Sequence, residues 1–206
     1  MKPVVIIATD GPKTIILQLA VLDATTPGAE ILVSPYGGKT GEIVDAVQSF
    51  SPSSTAYELP NPANTWADAV NIGARSAATQ SCSHYAILAD DAVVFPGWLD
   101  GLIAATEAKR VIRIGDNKGT AAYRVGYAGP VTTHSRYGDQ RLRLTEGEAD
   151  MGLAEYAAAR AGHFDGTTTQ AEAVELWCVA FRRNCFLALC GNGQQLIKPL
   201  LGRFMP

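Results

Sequence analysis

The sequence predicts a single α/β domain built on a mostly parallel central sheet with helices on both faces, and three observations carry that expectation. Two runs, Pro3 to Thr9 and Tyr85 to Ala89, are apolar throughout instead of alternating, as strands buried on both faces are. Helical stretches alternate with strand-like runs through the first hundred or so residues. No Pro/Gly/Ser-rich linker divides the 206 residues.

The elements follow in order. Pro3 to Thr9 is β-branched and apolar and ends at the turn signal Asp10-Gly11-Pro12, after which Lys13 to about Ala24 reads as a helix. Glu30 to Val33 is the second strand, Gly41 to Phe50 the second helix, Thr55 to Leu59 the third strand and Thr65 to Thr79 the third helix. Tyr85 to Ala89 is the fourth strand. After Asp91 the alternation stops. A helix is expected at Trp98 to Ala108, strands at Val111 to Ile114 and Arg124 to Ala128, a helix at Glu148 to Ala161 and a strand at Val174 to Phe181. This second half, about 101–206, is expected to form a mixed sheet with helices on the same core as residues 1–100.

Composition narrows the class. With 47% hydrophobic and 18% charged residues the chain can bury a sizeable core, which excludes a disordered segment. A net charge of −3, from 17 basic and 20 acidic side chains, gives no general field to draw in nucleic acid or an anionic membrane. Arg136, Arg141 and Arg143 form a local basic stretch, but Asp139 dilutes it and Glu146 and Glu148 follow, so it reads as a solvated loop or edge. The four cysteines form no CxxC pair, and Met1-Lys2-Pro3 leads into a strand instead of a signal peptide. Reduced thiols in a cytoplasmic protein are expected. Thr14 to Leu22, the longest strongly apolar run, falls short of the ~20 residues that span a bilayer.

Ligands of parallel α/β sheets gather at the carboxyl ends of the strands, which singles out Thr9-Asp10, Ser34-Pro35 and Asp90-Asp91. Two carboxylates where a buried strand emerges are costly if unpaired. Mg²⁺ or Mn²⁺, which prefers one or two carboxylates plus phosphate oxygens and water, would relieve that cost. The competing reading is that Asp90 or Asp91 caps the next turn. Gly37-Gly38-Lys39-Thr40 is not the end of a P-loop, because the first glycine that motif requires would stand at Val33. His84, His134 and His163 have no ligand-spaced partners, and Cys178 and Cys185 lie in apolar stretches expected to be core.

The segment Leu88-Ala89-Asp90-Asp91-Ala92-Val93-Val94-Phe95-Pro96-Gly97-Trp98-Leu99 resembles the metal-binding strand end of family-2 glycosyltransferases, where a DxD-type triplet precedes a Pro-Gly-Trp-Leu helix start. Trp66, Ala67, Ala69, Asn71, Gly73 and Ala78 fall at the spacing of that family's Asn-containing helix, with Asn61 or Asn64 in the loop before it. Val125 to Val131 resembles the family's central strand and Gly-Pro turn, and Val174 to Arg183 its late acceptor-side strand. The resemblance runs in order through almost the whole chain.

That resemblance implies a GT-A-like fold and metal-assisted transfer of a sugar from a nucleoside diphosphate sugar to an acceptor hydroxyl with inversion. It implies Asp91 as ligand of Mn²⁺ or Mg²⁺, Asp90 as a ribose or second-layer partner, and Thr9, Asp10 and Asn71 as donor-binding residues. The acceptor is left open, a nucleic-acid base among the compatible ones. The chain departs from the family in two places. Ser34-Pro35-Tyr36-Gly37-Gly38 stands where an acidic residue usually holds the nucleoside, and Tyr36 is the candidate stacking residue there. The acidic Glu-Asp motif that supplies the catalytic base would follow Phe204-Met205-Pro206, so truncation or natural loss is expected, with Glu175 as the substitute base to test. Trp98 and Trp177 are candidates to line an acceptor cleft. A nucleotide-sugar-binding module without transfer is the first alternative; a nucleotidyltransferase, whose glycine-rich loop would be reduced here to Asp10-Gly11-Pro12, is the second.

Overall fold

In a computed structural model, residues 1–50, 55–56, 63–113, 120–124, 126–130 and 177–190 are described. The chain opens with β1 (Val4–Thr9), α1 (Pro12–Thr25) and β2 (Glu30–Pro35), then a 3₁₀ turn at Gly37–Lys39 leading into α2 (Thr40–Phe50). β3 (Thr55–Ala56), α3 (Trp66–Ala78), β4 (His84–Ala89) and α4 (Trp98–Glu107) follow. β5 (Lys109–Arg113), β6 (Thr120–Arg124), β7 (Tyr127–Ala128), β8 (Cys178–Arg182) and α5 (Arg183–Cys190) complete the described elements.

The main sheet runs β3-β2-β1-β4-β8-β7. Its first four strands are parallel, β8 runs antiparallel to β4, and β7 antiparallel to β8. The expected parallel half and mixed second half are therefore both present, with β5 and β6 forming a separate two-stranded ribbon. β1 shows why its apolar run does not alternate, since every residue from Val4 to Thr9 is buried. Val4, Ile6 and Ala8 join a cluster with Ala69, Val70 and Ala74 of α3 and Phe186 of α5. Val5 and Ile7 join Ile15 and Leu19 of α1, Ile43 of α2 and Leu99 of α4 on the other face.

Local signals fix the elements that frame the strand ends. Thr65 caps α3 by accepting the Asp68 N–H at 3.1 Å while donating to the Asp68 carboxylate at 2.8 Å. Phe95-Pro96-Gly97-Trp98 forms a tight turn closed by the Trp98 N–H on the Phe95 carbonyl at 3.1 Å, with Gly97 at φ 85°. Gly73 lets α3 approach the sheet closely, because a Cβ there would lie 2.7 Å from Cγ2 of Ile6.

The structure differs from the expectation in particular elements. β2 runs two residues past Val33, with Pro35 in register with Thr9. Proline is accepted at this last position, where no further ladder N–H is required. The strand expected at Arg124 to Ala128 is two: β6 ends at Arg124 on the ribbon, and β7 starts at Tyr127 on the main sheet. Gly126, between them, lies against Cys185, whose Sγ would stand 2.8 Å from a Cβ. The late strand turns directly into α5, which was not expected. Phe186 holds that helix down by stacking on Tyr85 at 4.0 Å and meeting Phe181 edge-on at 5.7 Å. The helix expected at Glu148 to Ala161 lies outside the described residues, as do 57–59 and 174–176 of the third and last expected strands. Among the described residues no helix is long and apolar enough to cross a membrane.

Candidate functional site

The strand order reverses between β1 and β4. From β1 the chain leaves through α1 to β2 on one side, and after α3 it returns to β4 on the other. At such a switch point the loops beyond adjacent carboxyl ends diverge and leave a cleft. Thr9, the last residue of β1, is fully buried, and its Oγ1 donates to Oδ2 of Asp90 across this point at 2.6 Å. The same oxygen accepts the Gly11 N–H at 3.2 Å. One hydroxyl thus sets both the start of the first loop and the orientation of a carboxylate 81 residues further on.

Asp90 and Asp91 take the two middle positions of a turn closed by the Ala92 N–H on the Ala89 carbonyl at 3.2 Å. Asp90 is half-buried, and Asp91 and Asp10 are exposed. Burial raises the Asp90 pKa above the ordinary carboxylate range; the Thr9 hydroxyl opposes the shift, and Asp91 and Asp10 add to it. Tyr36 reaches the same cluster from the end of β2. Its N–H donates to the Thr9 carbonyl at 2.9 Å, and its phenol is pushed above its usual pKa first by burial and then by Asp10, Asp90 and Asp91. The phenol therefore keeps its proton beside these acids. Gly37, at φ 74°, turns the chain away, its N–H bound to the Ala63 carbonyl at 2.9 Å.

Thr9, Asp10, Tyr36, Asp90 and Asp91 are thus brought together. Asn71 lies in α3 and is 8% exposed, close in sequence to Ala69, whose carbonyl accepts the buried Ser34 hydroxyl at 2.7 Å. Among the described residues no three His, Cys, Asp or Glu side chains converge tightly enough to hold a metal by themselves. A cation of the Mg²⁺ type would need only one or two carboxylates from the protein and would complete its shell with ligand and water oxygens.

Other sequence candidates lie elsewhere. The Trp98 indole N–H donates to Oγ1 of Thr26 at 2.8 Å and its ring packs against the core, as does Trp177, so core packing accounts for both. His84 is buried at the opposite end of β4, with Nε2 3.2 Å from Oε1 of Glu107, which also accepts from Nε of Arg182 at 3.3 Å. Cys178 is core, as expected, and Cys185 is half-buried against the cluster on the other face of the sheet. Glu175, His134, Arg136, Arg141 and Arg143 lie outside the described residues. The proximity of Tyr36 to the acids was not legible beforehand, because only the parallel register of β1, β2 and β4 brings their ends together.

No protein-family model matches this sequence, and no curated protein matches it. Among solved structures, the chain is similar to S. aureus TarS 1-349 at 16% identity and a TM-score of 0.41, over 58% of this chain and 38% of that one. It is also similar to a 4-diphosphocytidyl-2C-methyl-D-erythritol synthase at 14% identity and a TM-score of 0.44, over 97% of this chain and 84% of that one.

Proposed function

We propose that this chain binds a nucleoside diphosphate sugar across the carboxyl ends of β1, β2 and β4 and transfers the sugar to an acceptor hydroxyl. The observation that carries this reading is the 2.6 Å bond from Thr9 to Asp90 across the switch point, which holds a carboxylate ready at the mouth of the crevice. Asp91, exposed on the same turn, is the assigned ligand for Mn²⁺ or Mg²⁺. Such a cation would supply charge stabilisation to the departing diphosphate. Asp90, fixed by Thr9, is assigned to the ribose or to a water of the cation shell, and Asp10 with Asn71 to the nucleoside side of the donor. The Tyr36 phenol, protonated and half-buried, offers a ring face to a base and a donor to a phosphate or ribose oxygen. In-line attack by the acceptor oxygen inverts the anomeric carbon, and Glu175 is the residue to test as its base.

Calorimetric titration with UDP, GDP and CMP, each with and without Mn²⁺, tests the donor site. Metal-dependent binding that disappears in Asp91→Ala is expected; binding of no nucleotide, or binding indifferent to Asp91, overturns it. Release of free sugar from the donor, or its transfer to an added hydroxyl acceptor, separates a transferase from a module that only binds the donor. Release of pyrophosphate from a nucleoside triphosphate would instead identify a nucleotidyltransferase.

A further inference from the structure

The sheet-facing stripe of α3 extends further than the sheet it covers. Val70, Gly73 and Ala77 are buried at helical spacing, and Trp66, four residues before Val70, stands on the same stripe. Two contacts fix the height of the helix against the strands. The Ser34 hydroxyl donates to the Ala69 carbonyl at 2.7 Å, and Gly73 lies against Ile6, Leu32 and Ser34, so α3 runs opposite to β1 and β2. Ser34 is in register with Ala8, one residue short of the end of β1. Trp66 stands a further turn, about 4.5 Å, toward the helix start, and helical side chains lean in that direction. The indole therefore overhangs the carboxyl ends of β1 and β2.

Tyr36 reaches the same place from β2. It forms an isolated parallel bridge with Ala63, and the Gly37 N–H donates to the Ala63 carbonyl at 2.9 Å, which brings the start of α3 beside the end of β2. Both rings are half-buried and rest on the core cluster of that face. The polar groups that frame them are already engaged. The Ser34 hydroxyl is held by Ala69, the Tyr36 N–H by the Thr9 carbonyl and the Gly37 N–H by Ala63, and Pro35 has no N–H to offer. The Thr65 hydroxyl is bound to Asp68 in both directions. This side of the strand-end site thus presents ring faces, with its nearest backbone donors spent.

We propose that Trp66 and Tyr36 hold the nucleobase of the donor by stacking, so that the site accepts several bases and favours purines over pyrimidines. The inference rests on the donor-binding reading of the strand-end site. Stacking tolerates any base because every base has a π-face, and the larger purine face covers more of a ring. Selection of one base would instead require hydrogen-bonding groups left free to read its edge.

The test titrates the full chain with UDP, CDP, GDP and ADP in the presence of Mn²⁺, read by calorimetry and by tryptophan fluorescence. The four should bind within about 30-fold of one another, GDP and ADP ahead. Trp66→Leu, which keeps an apolar side chain, should weaken all four alike by about 5- to 150-fold, and Trp66→Phe should recover part of that loss. Nucleotide should quench the fluorescence of the unsubstituted chain. That quench should vanish in Trp66→Phe while binding persists, because the other two tryptophans, Trp98 and Trp177, pack against the opposite face of the sheet. Thermal melting confirms that each variant is folded, and Trp66→Phe carries the test should Trp66→Leu fail to fold. A preference for one base beyond that range, pyrimidines ahead of purines, unchanged affinity in folded Trp66→Leu, or a quench that survives in Trp66→Phe overturns the proposal. Nucleotide binding that ignores Trp66 overturns this inference alone, whereas no binding of any nucleotide to the unsubstituted chain overturns the donor reading with it.

Discussion

Replacing Thr9 with valine keeps the side chain's shape and removes one hydroxyl, and the structure sets what is lost. Oγ1 gives up its donation to the Asp90 carboxylate at 2.6 Å and its acceptance of the Gly11 N–H at 3.2 Å. Hydrogen bonds to charged groups contribute about 1.5–3 kcal/mol net and neutral ones about 0.5–1.5. Asp90 is only half-buried, so water replaces part of the loss and the lower ends of these ranges apply, giving about 2 to 3 kcal/mol. With a urea m-value of about 2 kcal/mol per molar, the unfolding midpoint should fall by about 1 to 1.5 M. Combining Thr9→Val with Asp90→Ala in a double-mutant cycle should show coupling of at least about 1 kcal/mol, since the two side chains share one bond. A midpoint within about 0.2 M of the unsubstituted protein, or costs that simply add, would refute the view that Thr9 holds Asp90 in place.

Two further outcomes are expected. Gly73→Ala should destabilise the protein by about 1 to 3 kcal/mol in urea unfolding, although alanine favours helices, because the new methyl would press on Ile6, Leu32 and Ser34; a stability gain would show that α3 can shift away from the sheet. Asp90→Asn should raise the melting temperature near pH 8. The folded state raises the Asp90 pKa above 3.8, so ionising this group opposes folding above the raised pKa, and that cost fades as pH falls through it. The advantage of asparagine should therefore shrink toward about pH 4, and an advantage that does not change with pH would assign it to packing instead.

What could be read from the sequence was whatever local chemistry decides. β1 and β4 were legible because residues such as Ile6 and Ile7 face opposite covered sides, which leaves no polar alternation to mislead. The helix start at Trp98 was legible through the resemblance of Pro96-Gly97-Trp98-Leu99 to a known motif, and Gly97 stands before it at positive φ. Elements decided by distant contacts were not. Arg183 to Cys190 carries no capping signal of its own, and its helix depends on Phe186 meeting Tyr85, about a hundred residues earlier in the chain. The break between β6 and β7 follows from the close passage of Gly126 past Cys185, which no residue near Gly126 announces. At the site, Asp90 and Asp91 stood out as carboxylates at a strand end, whereas the Thr9 bond required the parallel register of β1 with β4.

Under the proposed function, the strand-end cluster would hold binding energy in reserve. Asp91 and Asp10 lie close enough to disfavour the charge of half-buried Asp90, and the same three acids push up the phenol of Tyr36. A chain under selection for stability alone would replace one of them, since an unrelieved carboxylate at a half-buried position opposes folding. Keeping all three is consistent with a cationic ligand whose arrival removes the repulsion, so part of its affinity would come from relief of strain already present in the free protein. Tyr36 extends that logic to the anion such a cation would accompany. With no acid at the end of β2, nothing from that strand repels a phosphate, and the neutral phenol can donate to it. Divalent cation and nucleotide should then bind with positive cooperativity, each tightening the other by the same factor, because linkage between two ligands is reciprocal. The order of addition would not matter to the final affinity, and removing one carboxylate would reduce the coupling as well as the affinity for the cation.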